Sequence, residues 1–314
     1  MDFKLSYIIY GIVGIIIDYI TISYGVPLAF PNTNQFNTIK DKLNVSKVSV
    51  PLVLGSCSFD SSTVEINTSN PYINNYIYMP HSNNIKGGSQ FSYTFWLDIK
   101  SNYSAKMKDR VIFMRGNKDV KKGLFFDKST PLDKSENPYP LVACPLVKFG
   151  KKHNLNDKGP LLEIVFNTMK DPYTKVTLDE EVYQLITSSN TNKKWFLISI
   201  VFQDYVDFSN AEKGIQIQNF VNDNLVSTKV IKNDSLKLNN CNTYITPSFS
   251  TDTESGESYF ADLIYHNFAL DILDIEKVYN YGVSSSSSGC RTAIQNTNNA
   301  PLDLYNKLSM NNYL

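Results

Sequence analysis

Hydrophobic and polar positions along the chain fall into three regimes, and each predicts a different kind of element. The first is a near-continuous apolar run from Leu5 to Val26, in which Asp18 is the single charge; no further charge occurs until Lys40. About 20 such residues span the hydrocarbon core of a bilayer, so the run predicts a transmembrane helix. Lys4 favours a cytoplasmic N-terminus, and Tyr7, Tyr10, Tyr19 and Tyr24 suit interfacial depths, Tyr10 and Tyr19 lying rather deep. Asp18 works against this reading, since an ionised Asp near mid-bilayer costs roughly 2.5–3.5 kcal/mol and calls for a partner or a water-lined face. Two other readings fit the same residues. One is a signal peptide with its apolar core at Leu5 to Ile17, cleaved near Thr21-Ile22-Ser23, although no Ala-x-Ala-like site follows. The other is a β-rich segment packed inside the fold.

The second regime begins after a Pro- and Asn-containing connector over 27–50 and runs to residue 283. Phe91, Tyr93, Phe95, Leu97 and Ile99 alternate with Ser92, Thr94 and Asp98, which is the period of a strand with one buried face; Trp96 interrupts the polar side. Arg110 to Gly116, Gly123 to Phe126 and Leu161 to Phe166 read as further strands. Trp195 to Phe202 is apolar on both faces, as a strand covered on each side would be. Ile215 to Val221, Asn222-Asp223-Asn224 and Leu225-Val226 form a hairpin pattern, because Asn and Asp tolerate the left-handed backbone of such turns. A last strand is expected over Ser258 to His266. One helix follows: Asp271 caps it, Ile272, Ile275, Val278 and Tyr279 share a face, and Gly282 stops it. Many short strands and one late helix predict a sandwich.

The third regime, 284–314, opens with five serines and reads as a linker and Asn-rich tail. It is either without fixed structure or an arm that docks on a neighbouring subunit, or on its own domain through Cys290.

Composition changes this picture little. The chain has 314 residues, 42 % hydrophobic and 13 % aromatic, with Lys plus Arg equal to Asp plus Glu at 30 each. That is enough apolar surface for a real core, and no net field draws it to nucleic acid. Cys57, Cys144, Cys241 and Cys290 form no CxxC, and the three His residues stand far apart, so zinc spacing is absent. Four cysteines permit two disulfides in any of three pairings, or four free thiols in a reducing compartment. Sequons at Asn44, Asn67, Asn102 and Asn233 are usable for glycosylation if the domain enters the secretory lumen.

The order of segments over residues 57 to 282 resembles the laminin-G-like, concanavalin-A-like lectin/glucanase jelly roll. Tyr76-Ile-Tyr-Met-Pro80 with Phe91-Ser-Tyr-Thr-Phe-Trp96 is similar to its opening, and Val111 to Asn117 with Gly123-Leu124 to its next hairpin. Trp195 with Ile198 to Phe202 resembles the central strand, Phe220 to Val226 a Tyr-Val-Asp-Gly-type hairpin, and Ala261 to Gly282 the closing strand and helix. The resemblance implies an all-β, antiparallel jelly-roll sandwich over 51–283, with one N-terminal transmembrane helix over 1–26 and one short C-terminal helix. Departures are Asn222-Asp223 where Asp-Gly is common, polar insertions near 127–160 and 168–193, and the tail.

Glucanases of that family use a Glu-x-Asp-x-Glu strand whose outer carboxylates share a face. Here the nearest run is Asp179-Glu180-Glu181, whose neighbours point to opposite faces of a strand. His81, His153 and His266 accompany no GxSxG nucleophile, and Gly87-Gly88 reads as a turn rather than a phosphate loop. No catalysis is therefore expected. Some relatives of the fold hold calcium at the sandwich rim; Asp60, Asp109, Asp127, Asp204 and Asp207 sit on expected loops, but no motif assigns Ca2+ to them, and no cofactor is expected.

Abundant Asn, Lys, Ile, Tyr and Ser with scarce Arg and Ala match AT-rich codons. With the anchor, the sandwich and the tail, this resembles minor capsid or virion membrane proteins of giant DNA viruses. The resemblance implies a single-pass membrane protein in a virion, its sandwich extracytoplasmic, linking a membrane to capsid or shell proteins. The alternative is a cell-surface or secreted lectin-like module for glycans or proteins, and a glycosidase is the distant third.

Overall fold

The computed structural model describes residues 47–59, 63–73, 76–82, 88–98, 110–117, 142–150, 162–171, 173–178, 195–207, 212–245, 259–284 and 291–292. The chain divides into Met1–Lys47 and Val48–Leu314, and every element below belongs to the second unit. The segment expected to form a transmembrane helix, with Asp18, and most of the C-terminal tail lie outside the described residues. Among the described residues no helix is long and apolar enough to cross a membrane.

The first nine strands are β1 (Ser49–Pro51), β2 (Val53–Leu54), β3 (Ser56–Ser58), β4 (Val64–Ile66), β5 (Gln90–Asp98), β6 (Val111–Gly116), β7 (Ala143–Phe149), β8 (Leu162–Phe166) and β9 (Thr174–Leu178). They are followed by β10 (Phe196–Asp207), β11 (Glu212–Val221), β12 (Asn224–Lys232), β13 (Thr243–Ile245), β14 (Tyr259–His266), a helix α1 (Ile272–Tyr281) and β15 (Arg291–Thr292). One sheet has the order β1-β14-β5-β10-β11-β12, with β3 also on β14; the second runs β4-β13-β6-β7-β8-β9; β15 pairs with β2. All named strand pairs are antiparallel.

The inner faces meet in an aromatic core. Phe91, Tyr93, Phe95 and Leu97 of β5 join Phe113, Phe166, Ile198, Ile200, Phe202 and Phe260. Phe91 stacks on Phe202 at 4.8 Å, and Phe166 meets Phe202 edge-on at 5.4 Å. Such pairs add about 0.5–1.5 kcal/mol each beyond the area they bury.

The outer face of the first sheet explains two irregularities of the pattern. Trp96, Leu197, Val201, Phe220 and Ala261 form a second cluster with Ile275 and Val278 of α1. Trp96 lies stacked against Tyr279 at 6.1 Å. Helix cover is thus why Trp96 breaks the polar alternation and why β10 is apolar on both faces. The helix ends as expected: the Asp274 N–H donates to Asp271 Oδ1 at 2.8 Å, and Gly282 has φ +73°. Asn222 takes the turn with φ +56°.

Other expectations need correction. The stretch 127–160 is not only a polar insertion, since β7 lies within it and is buried throughout, between β6 and β8. The stretch 168–193 likewise contains β9, the edge of that sheet. Lys148 disguised β7 as surface; it is buried and paired with Glu163 at 3.0 Å.

Candidate functional site

The β4–β5 connection is where rigidity and exposure coincide. Asn67 wires its first turn: its Nδ2 donates to the carbonyls of Asn70 at 2.8 Å and Ile73 at 3.3 Å, and its Oδ1 accepts the Asn70 N–H at 3.0 Å. Asn242, just before β13, fixes the turn from the opposite side. Its Oδ1 accepts the N–H groups of Thr68 and Ser69, each at 3.2 Å, and the Ser69 hydroxyl at 2.6 Å. Its Nδ2 donates to Glu65 at 2.8 Å. Thr68 adds a bond to the Cys241 carbonyl at 2.8 Å. The Asn70 carboxamide accepts the Tyr72 N–H at 3.0 Å, and the Ile77 N–H donates back to Asn67 at 2.9 Å.

This frame serves no core purpose at its tip. Tyr72 is 95 % exposed, Tyr78 62 % and Ile73 57 %. Large apolar groups held out by a fixed backbone cost little further entropy on contact with a partner, which is the usual make-up of a recognition surface.

Behind the loop, polar groups enter the interior. Tyr265 donates its hydroxyl to the Pro80 carbonyl at 3.0 Å. Its ring lies 5.3 Å from Tyr93. Arg115 of β6 stands on the same side: Asn239 of the β12–β13 connection donates to its carbonyl at 3.2 Å, and Arg115 pairs in register with Thr243. Burial pushes the Tyr93 phenol up to about 12, and the nearby Arg115 charge pulls the other way. The same two effects act on Cys144, also pushed up to about 12, and in the same directions on Tyr265 and Cys241. All four groups therefore stay neutral near neutrality. Sequence reading passed over Arg115 as one more strand residue. A signal existed: Arg110, Arg115 and Arg291 are the chain's three arginines, and only Arg115 sits inside an apolar strand pattern.

Other residues singled out from sequence do not join this site. Asp204, a calcium candidate, spends its oxygens on the Leu236 N–H at 3.0 Å and the Ser89 N–H at 3.1 Å. Burial pushes its pKa up, against those two bonds. Gly88 is tied to it, for a Cβ there would lie 2.2 Å from the Asp204 Cβ, so this glycine permits a close approach and is more than a turn residue. Asp60, Asp109, Asp127, His153, Asp179, Glu180, Glu181, Asn44, Asn102 and Cys290 lie outside the described residues, and the Asp207 side chain is also not described. Among the described residues no three metal-ligating side chains gather. Asn233 is exposed at a turn with φ +58°, whereas Asn67 has its amide engaged as above. Cys57 is disulfide-bonded, while Cys144 and Cys241 are free.

His266 is buried between Ser49, 2.7 Å from Nδ1, and Thr94, 3.1 Å from Nε2. The Ser–His contact has the spacing of a nucleophile and base. Burial, however, pushes the imidazole down to about 3, too weak a base to draw a serine proton, and no carboxylate orients it among its hydrogen bonds.

No protein-family model matches the chain, and no curated protein is similar to it in sequence. Solved structures similar to it include the botulinum neurotoxin serotype D binding domain, with 17 % identity and a TM-score of 0.41 over 72 % of this chain and 41 % of that one. The receptor-binding domain of mosaic serotype C/D gives 15 % and 0.43, over 74 % and 46 %. The serotype D ligand-binding domain in complex with N-acetylneuraminic acid gives 15 % and 0.40, over 76 % and 51 %. The chain thus spans about half the length of these structures or less. At such identities and TM-scores, the assignment to the two-sheet sandwich class rests on the strands described above, and nothing about a ligand passes across.

Proposed function

We propose that the chain is a non-catalytic recognition module that engages glycan or protein ligands through the β4–β5 loop, its sandwich being of the laminin-G/concanavalin-A-like kind. The observation that carries this is the outward presentation of Tyr72, Ile73 and Tyr78 on a loop wired by Asn67, Asn70 and Asn242. Aromatic faces pack on the apolar side of a sugar ring or fill a protein pocket, and a fixed loop spares the ordering cost. The module is displayed outside the cytoplasm by the 5–26 segment. The disulfide at Cys57 supports an oxidising compartment. A link from membrane to protein shell is the case in which the ligand is a shell subunit.

The test uses the full chain in detergent, applied to an immobilised glycan panel and to purified shell or surface proteins. Paired Tyr72→Ala and Tyr78→Ala changes are expected to reduce binding at least about tenfold at unchanged thermal stability. Undiminished binding by the double variant would sink the reading.

A further inference from the structure

Arg115 occupies an unusual position for a cation. On β6, Met114 faces the outer cluster with Leu146 and Val165, so the alternation turns Phe113 and Arg115 toward the space between the sheets. Phe113 packs 5.3 Å from Tyr93, and Arg115 comes next along that face. Its Nε is buried and has no hydrogen-bond partner, and neither has the hydroxyl of Tyr93, which is wholly buried. The Arg115 side chain and the Tyr93 hydroxyl lie within loose hydrogen-bonding reach of one another, yet no bond of good geometry closes between them. Among the described residues no carboxylate pairs with Arg115. Asp204 forms no ion pair with Arg115; its two oxygens accept the Leu236 and Ser89 N–H groups.

We propose that Arg115 anchors an oxyanion subsite, and that the ligand of the β4–β5 loop carries a carboxylate, sulfate or phosphate into it. The surroundings are rich in donors and poor in acceptors: a guanidinium with a spare N–H and an unsatisfied phenol. Tyr265, Cys144 and Cys241 stay neutral around it and supply no counter-charge. A half-buried guanidinium whose Nε is shut off from water without a partner is costly, and a planar fork of donors matches a carboxylate or phosphate. Arg115 and Cys241 are only partly buried, so the Arg115 side chain reaches the surface beside the β12–β13 connection, whose Asn239 bonds its carbonyl. Tyr265 ties the two regions, donating to the Pro80 carbonyl of the β4–β5 connection at 3.0 Å while its ring lies 5.3 Å from Tyr93.

The inference rests on the recognition reading for its ligand, but its test does not. The full chain is titrated with inorganic sulfate and phosphate, with chloride holding the ionic strength, and thermal unfolding is followed. Both oxyanions are expected to raise the unfolding midpoint of the wild type. Arg115→Met keeps the apolar stem and should abolish the saturable, low-concentration part of the rise, leaving the general stabilisation that these salts give any fold. Tyr93→Phe, which removes only the unsatisfied hydroxyl, should weaken the apparent affinity several-fold, and Arg115→Lys should restore part of it. No rise in the wild type would overturn the proposal, as would an equal rise in Arg115→Met, which would place the anion elsewhere. The Tyr72/Tyr78 double variant should keep the oxyanion effect. If it keeps ligand binding too, the recognition surface is wrong while the subsite stands.

Discussion

Two cations of the second sheet, Lys148 buried and Arg115 half-buried, are handled in opposite ways. Lys148 on β7 is 1 % exposed and meets Glu163 of β8 at 3.0 Å; Glu163 also holds Lys175 of β9 at 3.3 Å. Arg115 on β6 faces the other side of the same sheet and meets no carboxylate among the described residues. The first charge is cancelled within the fold, across adjacent strands in register at Lys148 and Glu163. The second is left for something from outside. A structural ion pair and a binding charge can therefore be told apart by whether the fold supplies the counter-ion.

The largest effect expected from this contrast is on stability. Glu163→Gln removes the charge that pairs with Lys148 at 3.0 Å and should cost about 3–5 kcal/mol in denaturant unfolding. Arg115→Met should fall within about 1 kcal/mol of the wild type without ligand, because it breaks no pair. Similar losses from both would show that Arg115 has an internal partner and would collapse the comparison.

His266 is a third basic group, buried and kept neutral between two hydroxyls. Burial holds its folded pKa at about 3, below the ordinary imidazole value of 6.5. The unfolded chain therefore gains a proton first as the pH falls. Its contribution is intact above pH 6.5 and is lost progressively down to about pH 3, with a slope of at most about 1.4 kcal/mol per pH unit. His266→Gln should flatten that part of the stability profile, and an unchanged slope would assign the acid loss to other groups.

Smaller still, Tyr93→Phe should leave stability unchanged or raise it by about 1 kcal/mol, since an unpaired buried hydroxyl contributes nothing to the fold. The exposed pair Lys232–Glu212, at 3.2 Å, closes the series. Lys232→Ala should change stability by roughly 0.2–1 kcal/mol, and the effect should vanish in high salt, unlike that of Glu163→Gln.

The strands that repeat every second residue, β5 above all, were legible in the chain, as were the Asn222 turn and the capped helix. So was the need for cover over β10, although not what covers it. β7 was not: it reads Ala-Cys-Pro-Leu-Val-Lys-Phe, and its lysine looks solvated until Glu163 is placed beside it. The candidate site was less legible than the fold. Tyr76 to Pro80 stood out as a strand-like opening, and Asn67 as a sequon, yet the structure uses Asn67 to brace a loop that displays Tyr72 and Tyr78.

Local pattern fixes where a strand or helix begins and which of its faces is apolar, because those follow from periods of two and 3.6 residues along one segment. The sequence by itself therefore determined the two-sheet class, the hairpin at Asn222 and the helix from Asp271 to Gly282. Tertiary structure alone decided that Lys148 has a counter-ion while Arg115 has none among the described residues, and that Asn242 braces a loop more than 170 residues before it. Hydrogen bonding, desolvation and charge pairing are properties of neighbours in space, and the partners here come from segments that chain order keeps far apart.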